Sequence, residues 1–170
     1  MAVEYVIDGY NVIHKHPETA AHMNTGPRGP EEARRKLLHL LAVRFAQKKV
    51  NMRVVFDGKY PGLSTQSPFP KINAVYSFAP ETADEVIINY VENAARPRSI
   101  TVVTSDREIR RQVEDTGCGI MTSEVFVGRF LRTGETEEAD STEEIRHRKL
   151  TDEQVKEWIS YFGMDEEEEQ

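Results

Sequence analysis

Four aspartates, Asp8, Asp57, Asp84 and Asp106, are placed where side chains could do chemistry together. Asp8 closes the apolar run Val3-Glu4-Tyr5-Val6-Ile7, and Asp57 closes Met52-Arg53-Val54-Val55-Phe56. Asp106 follows Ser99-Ile100-Thr101-Val102-Val103-Thr104-Ser105, while Asp84 starts a helical pattern. A parallel α/β sheet gathers its strand ends at one edge, and ligands bind outside the carboxyl ends there. Carboxylates converging without counter-charge repel and raise one another's pKa. A hard divalent cation removes that conflict. The four aspartates therefore read as a metal site for Mg²⁺ or Mn²⁺, which take oxygen donors and keep several waters.

Other residues are weighed against this set. Zinc would want His or Cys, and His14 and His16 stand in a Pro-containing stretch without matching ligands, so both read as surface histidines. Asn11, three residues after Asp8, can orient a water or a phosphate oxygen without adding charge, or else bond the turn backbone. Asp57-Gly58 is also a common turn pair. Ser105 and Glu108 have capping-box spacing, which would leave Asp106 free to face the strand ends. On the helix that begins near Glu81, Ala83, Val86, Ile87, Tyr90, Val91 and Ala94 define the buried stripe. Asp84 falls at its margin and Glu85 points away, so Asp84 is the better ligand or base. A single Cys118, flanked by glycines, reads as a small buried residue and fits a reducing compartment.

The elements that must position these groups alternate strand and helix, which predicts a three-layer α/β/α domain with a mainly parallel central sheet. Strands are expected at 3–8, 52–57, 72–78, 99–104 and 119–121. Helices are expected at 31–49, burying Ala33, Leu37, Leu40, Leu41 and Phe45, then at 81–95, 106–116 and 123–132. Residues up to Pro30 read as a loop, and 58–71 as a long Gly/Pro/Ser loop that could be a substrate-facing flap or a plain excursion. The domain spans 1–133, an acidic then basic linker 134–149, and an amphipathic helix 150–163 is expected to pack on it. That helix has Thr151 and Gln154 as capping box and the stripe Val155, Trp158, Ile159 and Phe162. Residues 164–170 form an acidic tail that reads as disordered.

Composition narrows the partners. At 38% hydrophobic and 30% charged over 170 residues, the chain suits one globular domain. No stretch is long and uncharged enough for a membrane helix, and no basic-then-apolar leader opens it, so a cytoplasmic location is expected. The net charge of −7 is unevenly spread: segments 135–144 and 165–169 hold eleven of the 29 acidic residues and no Lys or Arg. Without them 18 acidic residues face 22 basic ones, a balance of +4 that permits phosphate contacts. Arg34-Arg35-Lys36, Lys48-Lys49, Arg107/Arg110/Arg111 and Arg146/Arg148/Lys149 are candidates, each also readable as a solvated face.

The ordered set Ile7-Asp8-Gly9-Tyr10-Asn11-Val12-Ile13, Val54-Val55-Phe56-Asp57-Gly58, Thr82-Ala83-Asp84-Glu85-Val86-Ile87 and Val102-Val103-Thr104-Ser105-Asp106-Arg107-Glu108 resembles the YacP-like branch of the NYN domains, within the PIN-like nuclease superfamily. The resemblance implies a PIN-like fold and a metal-dependent endoribonuclease site at Asp8, Asn11, Asp57, Asp84 and Asp106. It also implies RNA, in particular mRNA, as substrate and the ribosome as a partner, with no organic cofactor. Arg107, Ser105 and Asn11 are then candidates for holding the RNA. A non-catalytic RNA- or ribosome-binding protein is the alternative. A phosphatase using an aspartyl-phosphate is disfavoured, because Tyr10 stands where a second Asp is usual.

Overall fold

A computed structural model describes residues 3–58 and 69–132, all within one compact unit. The chain runs β1 (Val3–Asp8), α1 (Gly9–Lys15), α2 (Pro17–His22), α3 (Gly29–Phe45), β2 (Val50–Phe56), β3 (Ile72–Tyr76) and α4 (Ala83–Glu92). A 3₁₀ turn, Pro97–Ser99, then leads to β4 (Ile100–Val103), α5 (Arg107–Glu114), β5 (Gly119–Met121), α6 (Ser123–Phe126) and a π-helical turn, Val127–Leu131. The five strands are all parallel in the order β3-β2-β1-β4-β5. Successive strands step from β1 out to β3, then the chain returns to the other side of β1. That reversal puts a topological switch point between the carboxyl ends of β1 and β4, where α/β sheets form their ligand crevice.

Both faces of the sheet are covered, which is why its strands are apolar without strict alternation. On one face Ile7, Met52, Val54, Phe56 and Val103 pack against Val12 and Ile13 of α1, Leu37 and Leu41 of α3, and Phe126 and Leu131. On the other, Val6, Val55 and Val102 meet Ile87 and Val91 of α4 and Ile109 and Val113 of α5. The two cores make the three layers. Neighbouring residues of one strand feed opposite cores, so β1 and β2 are locked in register.

The first expected loop is largely helical. Helix α1 starts directly after Asp8, and Pro17 opens α2 at a position where a missing N–H costs nothing. His16 is buried, not superficial. Its Nδ1 accepts from the Thr19 backbone N–H at 3.4 Å, so Nε2 is the donor to the Leu131 carbonyl at 3.3 Å. His14 is exposed. The apolar pattern around Val12 and Ile13 was the signal for α1, masked by the Pro and Gly residues that follow.

Smaller differences have local causes. Helix α3 buries Leu38, while Leu40 sits at the rim of the core. The last segment widens from α6 into a π turn, with Val125 of α6 exposed and Phe130 half-buried. Cys118 is half-buried against the second core. The flap expected near 58–71 falls mostly on 59–68, and the segments 134–149, 150–163 and 164–170 also lie outside the described residues.

Gly9 lets α1 begin immediately beside the sheet. A Cβ there would overlap the Phe56 ring and stand 3.0 Å from the Val55 carbonyl oxygen. Phe56 is fully buried and cannot swing away. Gly9→Ala should therefore lower unfolding free energy by about 1–3 kcal/mol in urea titration, an overpacking cost. Phe56→Leu in the same chain should recover part of that loss.

Candidate active site at the carboxyl edge of the sheet

Each strand that ends at this edge delivers an aspartate or a hydroxyl. Asp8 is the last residue of β1; Thr104 follows β4, is fully buried, and donates from Oγ1 to Asp8 Oδ2 at 3.0 Å. The same hydroxyl accepts from the Asp106 backbone N–H at 3.1 Å. Asp57 follows β2, and buried Ser77, which follows β3, donates to its Oδ1 at 2.7 Å. That oxygen also accepts from the Ala83 N–H at 3.3 Å, so Asp57 fastens the start of α4. Gly58, at φ 96°, makes the left-handed turn that lets its N–H reach Ser77 Oγ at 3.2 Å.

Thr82 caps α4 in a capping box with Glu85, whose carboxylate accepts from the Thr82 N–H at 2.8 Å. Glu85 is thereby turned to the cap. Asp84 beside it is exposed, and its carboxylate makes no hydrogen bond among the described residues.

Asp106 corrects the expected capping arrangement. Asp106, not Ser105, is the N-cap of α5: its Oδ1 accepts from the Glu108 and Ile109 N–H groups at 2.8 and 3.2 Å. Ser105 faces the other way, its hydroxyl donating to Glu124 Oε2. Both residues are acceptable N-caps, and the capping-box spacing of Ser105 and Glu108 pointed to the wrong one. Ser105 was expected to touch substrate, yet its hydroxyl is engaged inside the protein. Arg107 is exposed at the start of α5 and forms no ion pair among the described residues.

A common pattern emerges. Asp8, Asp57 and Asp106 are each fastened through one oxygen, which leaves the other without a hydrogen-bonding partner among the described residues. Thr104 and Ser77, which do much of the fastening, were not singled out in the sequence. Their signal is positional: each is a small hydroxyl residue immediately past the end of a strand.

The four carboxylates feel one another. Burial is the main cause that pushes Asp8 from an ordinary 3.8 up to about 6, opposed by the Thr104 hydrogen bond and reinforced by the charges of Asp84 and Asp106. The Asn11 backbone N–H lowers it, although the Asp8 side chain makes no well-formed cap bond to α1. Asp84, although exposed, is also raised, first by the partial loss of water around it, then by Asp106, Asp57 and Glu85. Yet among the described residues no three carboxylates approach closely enough to grip one ion. The expected tight four-carboxylate cage is therefore not preformed. The donor set still fits Mg²⁺ or Mn²⁺, which commonly bind through one or two carboxylates, with water and phosphate completing the shell.

The basic clusters divide. Lys36 pairs with Glu18 at 3.3 Å and Arg111 with Glu108 at 3.0 Å. Lys48 lies over the Phe45 and Phe130 rings, at the amino end of β2 and away from the acidic edge. Arg146, Arg148 and Lys149 lie outside the described residues. No described helix is long and apolar enough to cross a membrane.

An all-parallel α/β domain with an acidic edge at its switch point is the class that fold and site define. The YacP-like NYN domain profile matches residues 5–162, and the chain belongs to that family. Membership suggests a nuclease-type, RNA-related function. Two solved structures of Rae1 (YacP) from Bacillus subtilis share the fold. One, of a single-site mutant, superposes with a TM-score of 0.60 at 22% identity, covering 75% of this chain and 74% of that one. The other gives 0.60 at 24% identity, covering 75% and 72%. No curated protein matches significantly.

The raised Asp8 pKa fixes the sign of a pH effect. The native state binds this proton more tightly than the unfolded chain, so the group's contribution is most favourable below about pH 4. Stability then falls as pH rises from about 4 to about 6 and stays lower above that, by about 3 kcal/mol. Metal-free Asp8→Asn should therefore be more stable than the parent by about 1–3 kcal/mol at pH 7.5 and nearly equal to it at pH 4, in urea unfolding at both values.

Proposed function

We propose that the protein is a divalent-metal-dependent endoribonuclease that hydrolyses RNA phosphodiester bonds. The observation that carries this is the convergence of Asp8, Asp57, Asp84 and Asp106 on one sheet edge, with Asp8 and Asp84 both raised by burial and by their neighbours' charge. Family membership supplies the RNA. That the RNA is mRNA presented at the ribosome rests on the family resemblance alone.

In this reading Asp8, Asp57 and Asp106 would hold Mg²⁺ or Mn²⁺, directly or through water. The ion, when bound, lowers the pKa of water and offsets charge building on the phosphate. Asp84 is the least restrained carboxylate and has a raised pKa, which suits it to orient the attacking water and accept its proton. Thr104 and Ser77 keep Asp8 and Asp57 from swinging away as the substrate binds. Arg107, exposed beside Asp106, would contact the RNA backbone.

A non-catalytic RNA- or ribosome-binding role is the second reading, set beside the spacing of the carboxylates, no three of which among the described residues lie close enough to grip one ion. Cleavage assays separate the two readings. Purified protein should cut single-stranded or ribosome-bound RNA with Mg²⁺ or Mn²⁺ and stop on chelation. Asp8→Asn and Asp84→Asn should each reduce cleavage about 10²-fold or more while the protein remains folded. A binder would keep its full effect on RNA in both variants.

A further inference from the structure

Asn11 is held in a closed circuit of polar contacts. Its Oδ1 accepts from the Ser105 backbone N–H at 3.0 Å and from the Ser123 hydroxyl at 2.6 Å. A backbone N–H only donates, so the atom facing Ser105 must be the carboxamide oxygen and the side-chain flip is decided. Both lone pairs of that oxygen are engaged. The NH₂ group donates to no protein atom among the described residues.

Ser105 is itself pinned. Its hydroxyl donates to Glu124 Oε2 and accepts from the Ser123 N–H at 3.0 Å. Glu124 Oε1 pairs with Lys15 at 2.9 Å, and Lys15 is the last residue of α1, the helix that carries Asn11. The contacts thus run from Asn11 through Ser105, Glu124 and Lys15 back to the same helix. The circuit lies against the acidic edge: Ser105 sits between Thr104, bonded to Asp8, and Asp106.

We infer that Asn11 is a hydrogen-bond donor to a phosphate oxygen of bound RNA, not a metal ligand, and that Glu124 is its positioning residue through Ser105. The identity of the anion rests on the nuclease reading. An anion brought beside four carboxylates needs donors, and the Asn11 NH₂ supplies two N–H groups without adding charge that would compete for the metal. To offer its oxygen to a cation, Asn11 would have to release Ser105 or Ser123. Glu124 touches neither RNA nor metal in this account; it fixes the Ser105 turn that fixes the carboxamide.

The test is RNA binding by the full chain, measured by fluorescence anisotropy with a labelled single-stranded oligoribonucleotide and Mn²⁺ in an Asp84→Asn background. Asn11→Ala and Asn11→Asp should each weaken binding about tenfold or more, the scale of a lost hydrogen bond to a charged group. Mn²⁺ affinity should not fall in either. Glu124→Ala should weaken RNA binding several-fold, and Glu124→Gln, whose amide oxygen still accepts from Ser105, should restore most of it. In cleaving protein the same changes should raise KM more than they lower kcat.

RNA binding unaffected by Asn11→Ala would overturn the inference, as would loss of Mn²⁺ affinity in that variant. Equal damage from Glu124→Ala and Glu124→Gln, tracking melting temperature, would reduce Glu124 to a structural role. A parent protein that binds but never cuts RNA would remove the nuclease reading and leave this binding comparison standing. A cleaving protein indifferent to Asn11 would remove the inference alone.

Discussion

Like charges at the switch point of the sheet are the constraint on which the site depends. Asp8 ends the central strand, is largely removed from water, and lies within the field of Asp84 and Asp106. A domain optimised for stability alone would place a neutral residue there. The surrounding structure accepts the repulsion and holds three of the four carboxylates in place. Thr104 fastens Asp8, Ser77 and the α4 amino terminus fasten Asp57, and the first turn of α5 fastens Asp106. Such anchoring through one oxygen, with the second left over, is how ligand orientation is set by surrounding hydrogen bonds.

The fold provides the rigidity this needs. The three strands that deliver Asp8, Asp57 and Thr104 are adjacent, and their apolar residues alternate between two buried cores. Gly9 on the Phe56 ring brings α1 close to the edge, so Asn11 reaches Ser105 across the end of β4. Asp84 differs from its companions. It stands exposed on the first turn of α4 with no hydrogen bond from the described residues holding its carboxylate. Three fixed acids and one freer acid form a division of labour suited to holding an ion and handling a proton.

Much of this was legible in the sequence because period and punctuation agreed. The apolar runs ending in Asp8 and Asp57 marked both the strands and the edge, and the stripe through Ile87 and Val91 separated Asp84 from Glu85. What failed was local competition between equivalent groups. Ser105 and Asp106 are both good caps, and only the tertiary contact of Ser105 with Glu124 leaves the capping to Asp106. His16 looked superficial because nothing in its neighbourhood announced that the Leu131 carbonyl, 115 residues away, would meet it in the core. The Asn11 circuit joins α1, the β4–α5 turn and α6, so no window of the sequence contains it.

The central claim, that the edge is strained by its own charge until a hard cation arrives, is tested most directly by following the Asp8 carboxyl carbon by NMR through a pH titration with and without Mg²⁺. A midpoint near 6 is expected in metal-free protein, and a midpoint below the ordinary 3.8 once Mg²⁺ is bound. A metal-free midpoint already at 3.8, or one that does not move when Mg²⁺ is added, would contradict it.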